Sequence, residues 1–167
     1  MEPIKQSTYE SCLSCCLLML VESNNEDEIE IWKHGWKFNY LSGQLNYVSS
    51  QYGKKIKAYI ENEYYFNQLQ LEKDKGVQLV NPRVDLDLLS DLLEKGKVII
   101  YLDVYYLQHI LHAPHFVLGI KKVGDNIEII DPADGLVKRI PVKVVGEAIE
   151  SLRSYLKYSP VFITKDI

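Results

Sequence analysis

The sequence predicts an α+β fold in which helices pack on a mostly antiparallel sheet, and three features carry that prediction. Helical signals dominate the first part of the chain and strand signals the later part, an order that favours segregated helices and strands over a doubly wound parallel sheet. Two β-rich runs, Phe116 to Val123 and Ile127 to Ile130, flank Gly124-Asp125-Asn126, the signature of a hairpin. With 167 residues, 47% of them apolar, the chain has the length of one ordinary domain that buries about 70% of its unfolded surface. No repeat, low-complexity tract or Pro/Gly/Ser-rich linker argues for a second domain, so residues 1–167 are expected to form one.

In chain order, Ser11 is expected to cap a helix over Cys12 to Glu22, its hydroxyl accepting from the free amides of the first turn, and the Ser-Asn-Asn run after Glu22 ends it. Cys12 then lies in the first turn. Glu26 to Lys37, acidic at its start, reads as a second helix, and Gly43 to Tyr52 as a third that Gly53 stops. Ile56, Ala58 and Ile60 alternate with polar residues, so Lys55 to Ile60 reads as a half-buried strand. Tyr64 to Gln78 has no decisive period. Leu86, Leu88, Leu89, Leu92 and Leu93 recur at helical spacing over Asp85 to Leu93, with Gly96 as the stop. Val98 to Val104 reads as a buried strand, Val142 to Leu156 as a helix and Val161 to Thr164 as a last strand.

Charge and composition narrow the function. The net charge is −4 and the basic residues are scattered, which provides no basic stripe to neutralise phosphates and excludes nucleic acid as a partner. No stretch approaches the ~20 apolar residues of a membrane helix; Cys15 to Val21 is short and Asp103 interrupts Val98 to Leu107. Met-Glu-Pro-Ile-Lys-Gln at the start lacks an apolar signal core, so a cytoplasmic location is expected. Cys12, Cys15 and Cys16 have no distant partner for a long-loop disulfide and are expected to be reduced.

A thiol becomes a nucleophile as its thiolate, which a helix N-terminus, a neighbouring imidazole and partial exposure all favour. Cys12 is positioned for all three. Cys15 and Cys16 lie one turn further in, among Leu17, Leu18 and Met19, where burial keeps a thiol neutral. The base for such a thiol is a histidine oriented by a third group. His115 begins the first strand of the hairpin and Asp131 closes the second, so folding at the turn returns both to one end of the sheet, offset by a residue or so. Ile127, Ile129 and Asp131 share one face, as do His115, Val117 and Gly119. The Cys12 amide, with the side chain of Gln6 six residues upstream, would supply the oxyanion donors such a site needs.

The segment Gln6-Ser-Thr-Tyr-Glu-Ser-Cys12-Leu-Ser-Cys-Cys-Leu-Leu-Met-Leu resembles the N-terminal signature of the bacteriocin-processing (double-glycine leader) peptidase family, a papain-like group in which Gln precedes Asp-Cys-Gly at this spacing. His115-Phe-Val-Leu resembles the family's His-Phe-Val motif and Ile-Ile-Asp131-Pro-Ala-Asp-Gly its Asp-Pro-Ala-x-Gly, in the same order along the chain. The resemblance implies a papain-like peptidase fold, with Cys12, His115 and Asp131 as the catalytic set, Gln6 in the oxyanion hole, a peptide or related amide as substrate, and no metal or organic cofactor. Two departures limit it. Ser11 and Leu13 replace the Asp and Gly around the cysteine, setting a leucine beside a site shaped for a Gly-Gly leader, and the transporter segments usually fused to the domain are missing. Leader specificity and coupled export are therefore not carried over.

Other readings of the same residues remain open. An amine in place of water would make the site an acyltransferase, and a homologue that lost activity would be a peptide-binding module. Cys12 and Cys15 have the spacing of a redox pair, though no βαβ unit surrounds them, and with His109, His112 and His115 they could form half a zinc site that lacks a second cysteine pair. His109 and His112 read rather as loop residues at the site mouth. Asp134 is the rival to Asp131 and more simply shapes the Asp-Gly turn. Trp32, Trp36, Tyr64, Tyr65, Tyr105 and Tyr106 are candidate groove residues or simply core.

Overall fold

The structure, a computed structural model, describes residues 2–24, 27–37 and 39–166. Its elements follow in the order α1 (Cys12–Leu20), α2 (Glu28–His34), α3 (Tyr40–Tyr52), β1 (Ile56–Ile60), α4 (Glu63–Glu72), β2 (Val77–Val80), α5 (Leu86–Leu93), β3 (Val98–Asp103), α6 (Tyr105–Gln108), β4 (Pro114–Val123), β5 (Asn126–Asp131), β6 (Leu136–Pro141), α7 (Val142–Ser154) and β7 (Val161–Lys165). The strands form one sheet in the order β2-β1-β7-β3-β4-β5-β6. Among the described residues only β1 and β2, joined through α4, pair in parallel. The expected α+β architecture with a mostly antiparallel sheet is the one observed.

Both faces of the sheet are covered. Alternating side chains of β1, β7, β3, β4 and β5 send Ile56, Ile163, Ile99, Leu118 and Ile130 into a core with α1, α3 and α4, and Ile100, Val117, Ile129 and Phe162 into a second core with α5 and α7. All nine residues of α1 are buried, so this helix is apolar all round because it is enclosed all round. Among the described residues no helix is long and apolar enough to cross a membrane.

Several boundaries differ from the sequence reading for identifiable reasons. Ser11 sits at the start of α1 but its side chain does not cap it; the hydroxyl donates to the Glu28 carboxylate instead. α1 ends two residues early, and Glu22 adopts a left-handed φ of 61°. α2 begins at Glu28, and Glu26, where that helix was expected to start, lies outside the described residues. α3 starts three residues early because Asn39 accepts from the Leu41 amide; Gly53 stops it at φ 61°. The undecided Tyr64 to Gln78 stretch resolves into α4, capped by Asn62, and the start of β2. Neither α6 nor β6 was anticipated.

Candidate active site

Cys12 opens α1, so its amide is among the free N–H groups of the first turn, and 8% of its surface is exposed. Cys15 and Cys16 are wholly buried, and none of the three is in a disulfide. Burial pushes the Cys15 thiol well above its ordinary value, and the charge of Glu28 together with the hydrogen bond to it adds to the shift. Burial does the same to Cys16, with the neighbouring Cys12 adding to it. Both are therefore kept as neutral thiols. Leu13 is fully buried and packs in the α1-side core rather than toward solvent.

His115 and Asp131 meet. His115 Nε2 lies 2.8 Å from Asp131 Oδ1, both residues being buried. Leu118 pairs with Ile130, so Asp131 comes level with Val117, on the face of His115 and two residues along. A register shift between Gly119 and Lys121 makes this possible. Continued unbroken from Lys121 and Glu128, the ladder would set Asp131 level with Leu118, on the wrong face. Nε2 is taken by Asp131, and the Cys12 thiol is near enough to the imidazole to raise its pKa. Because Val117 belongs to the second core and Cys12 to the first, the ring sits where the two faces meet at the end of the sheet.

The carboxylate has further partners. Asp131 Oδ1 also accepts from the Ala133 amide at 3.0 Å, and Oδ2 from Lys138 Nζ at 2.7 Å. Burial opposes its charge, yet the hydrogen bonds from His115 and Lys138 hold it well below the usual carboxylate range. For His115, burial favours the neutral ring, but the Asp131 hydrogen bond and the Cys12 thiol outweigh it and raise the imidazole to about 9. Lys138 lies on β6 and was not identified from the sequence, where nothing in Leu136-Val137-Lys138 distinguishes it from a surface lysine.

Gln6 joins the site through its backbone: its N–H donates to Pro132 O at 2.8 Å, tying the incoming loop to the turn after Asp131. Its side-chain Nε2 donates to the carbonyls of Thr8 at 2.9 Å and Tyr9 at 3.2 Å, while Oε1 is buried with no partner among the described residues. Asp134 does not touch the imidazole; Oδ1 accepts from the Leu136 amide and Oδ2 pairs with Lys138, with Gly135 completing the turn at φ 71°.

The other histidines diverge. His109 closes α6 in a left-handed conformation, and His112 Nδ1 lies 2.6 Å from Asp103. Buried Asp103 also accepts from Ser151 Oγ and from the Tyr105 and Ala113 amides, and so pins the 104–113 loop beside His115. Among the described residues no group of three or more His, Cys, Asp or Glu is arranged to hold a metal ion.

Of the aromatic candidates, Tyr64 is exposed, Trp32 and Trp36 pack edge to face on each other, and Tyr105 stacks on His112. Tyr65 lies within electrostatic reach of Tyr101. Two further rings within electrostatic reach of Cys12, Tyr40 and Tyr101, were not singled out from the sequence. Tyr101 stacks on Phe116 at 4.1 Å, and Tyr158 meets it edge-on. The pairing of Tyr101 with Phe116, the residue after His115, was the available cue.

No protein-family model matches the sequence, and no curated protein sequence matches it. The fold is shared with two solved peptidases. A double-glycine motif protease from an AMS/PCAT transporter, solved in complex with the leader peptide, superposes with a TM-score of 0.54 at 15% identity, covering 99% of this chain and 91% of that one. A protein described as a C39-like peptidase from Bacillus anthracis superposes with a TM-score of 0.59 at 14% identity, covering 98% and 94%.

Proposed function

We propose that the chain works as a single papain-like domain and is a thiol-dependent hydrolase, cleaving a peptide or related amide through an acyl-enzyme on Cys12. The observation that carries this reading is the 2.8 Å hydrogen bond between His115 and Asp131 in a ring that also reaches the Cys12 thiol. His115 Nδ1 takes the thiol proton while Asp131 holds Nε2 and stabilises the imidazolium. The thiolate attacks the carbonyl, and the Cys12 amide donates to the resulting oxyanion. His115 returns the proton to the leaving amine, and water then hydrolyses the thioester with His115 again as base. The complex of the leader peptide with a double-glycine protease of this fold supports a peptide as the substrate class. With an amine as the second acceptor, the same acyl-enzyme would make the protein an acyltransferase.

Site-resolved alkylation of the native protein by a trace of iodoacetamide across pH tests the reading. Cys12 is expected to react ahead of Cys15 and Cys16 below the reference thiol pKa of about 8.5, and His115→Ala to abolish that lead. Equal reactivity of the three thiols would sink it.

One observation favours a second reading. Both protons of the Gln6 amide are engaged by Thr8 and Tyr9, so Gln6 can serve an oxyanion only after the loop releases it. A peptide-binding protein without turnover would keep that loop as it is. Peptide binding that survives Cys12→Ala, with a Cys12 no more reactive than its neighbours, would favour that reading.

A further inference from the structure

Glu28 lies at the start of α2, 5% exposed, and no cation pairs with it among the described residues. Its carboxylate collects donors instead. Oε1 accepts from the Ser7 backbone N–H at 2.7 Å and from Ser11 Oγ at 2.5 Å, and the carboxylate is near enough to the Cys15 thiol to raise its pKa. The two donors lie on the chain that leads into the nucleophile: Ser7 follows Gln6 and Ser11 precedes Cys12, while Cys15 stands one turn beyond it on α1. The loop's other anchor, from Gln6 N–H to Pro132 O, reaches the Asp131 side of the site.

Burying a carboxylate without a cation is costly, and hydrogen bonds from several donors are the means of offsetting that cost. A carboxylate placed so is a stiff clamp, since each donor it holds would otherwise leave a buried charge under-solvated. We propose that Glu28 is a positioning residue for the nucleophile, a buried acceptor that fixes how the 7–11 loop enters α1 and so holds Cys12 against His115. This rests on the reading of Cys12 and His115 given above. Ser11 is the local adaptation: its hydroxyl is spent on Glu28 rather than on the helix it precedes.

The same iodoacetamide assay on the full chain, run on wild type, Glu28→Ala, His115→Ala and the double variant, separates the possibilities. Glu28→Ala is expected to slow Cys12 alkylation at pH 7 about ten-fold or more and to move its pH profile toward that of His115→Ala. The double variant is expected to be no slower than His115→Ala alone, because both residues act through one thiol–imidazole pair. A folded Glu28→Ala with the wild-type profile, or additive losses in the double variant, would overturn the assignment. If Glu28→Ala does not fold, Ser11→Ala and Glu28→Gln replace it, each expected to give a smaller shift in the same direction; wild-type profiles in both overturn it. Wild-type Cys12 reactivity that ignores His115 would instead defeat the catalytic reading, and the assignment with it.

Discussion

Burial alone would keep the His115 imidazole neutral, and the Asp131 carboxylate with the Cys12 thiol reverses that preference, so the ring titrates at about 9. The folded value is raised above the unfolded one of about 6.5. The imidazolium therefore adds stability that is fully present below that pH and lost as pH rises through about 9. Melting temperature is expected to fall across this window by the equivalent of on the order of 1–3 kcal/mol, and Asp131→Asn to flatten the fall; superimposable curves for the two proteins would reject the coupling. Asp131 runs the other way. Its folded pKa is depressed, so its contribution is present above about pH 4 and lost on acidification. Lys138→Met, which leaves Asp131 with His115 and the Ala133 amide, is expected to shift acid unfolding to higher pH, as an acid titration followed by circular dichroism would show. The meeting of His115 with Asp131 was legible because each stands in a short motif, whereas the Gln6 side chain, expected to face an oxyanion, is turned onto the Thr8 and Tyr9 carbonyls. Lys138 and Glu28 were not legible, because their roles come from contacts across space: one from a neighbouring strand, the other from a helix seventeen residues beyond Ser11.

The hairpin of β4 and β5 decides whether His115 and Asp131 meet. Its strands differ by one residue between the turn and the site, and the irregularity beside Gly119 absorbs the difference. Deleting Ile120 is expected to remove the bulge while keeping Leu118 opposite Ile130, and so to preserve His115-dependent labelling of Cys12 to within about three-fold; a fall to the His115→Ala level would show that the bulge itself is needed. Gly119 was the cue in the sequence, since a glycine inside a strand often marks such a place, and a Cβ there would crowd Ile100, Val98 and Leu93. β6 escaped because it is an edge strand whose Leu136 and Val137 are both exposed, which erases the alternation that reveals strands. α4 escaped because Leu69 is its only buried residue, too little for a helical stripe. The elements with a clear apolar face, α5, α7, β1 and β3, lie within a residue or two of where their periodicity put them.

At the scale of the molecule, a sheet between two helical layers encloses α1 on every side, and the helix that carries Cys12 is the centre of one core. Leu17→Ala, deep in that core, is expected to cost about 2–5 kcal/mol in urea unfolding; a loss below 1 kcal/mol would mean that the helix is less tightly held than its burial implies. The overall arrangement was legible from the order of helices and strands together with the motif resemblance. The covering of the second face by α5 and α7 was not, because periodicity identifies a helix's apolar side without saying which face of a sheet receives it. Enclosure of α1 has a practical corollary. Cys15 and Cys16 are sealed inside the folded protein, so they become reactive only when α1 itself comes apart, and opening of that depth is global. If Cys12 labels as proposed, one labelled thiol per molecule reports a folded chain and three report an unfolded one, so that heat damage can be counted without an activity assay.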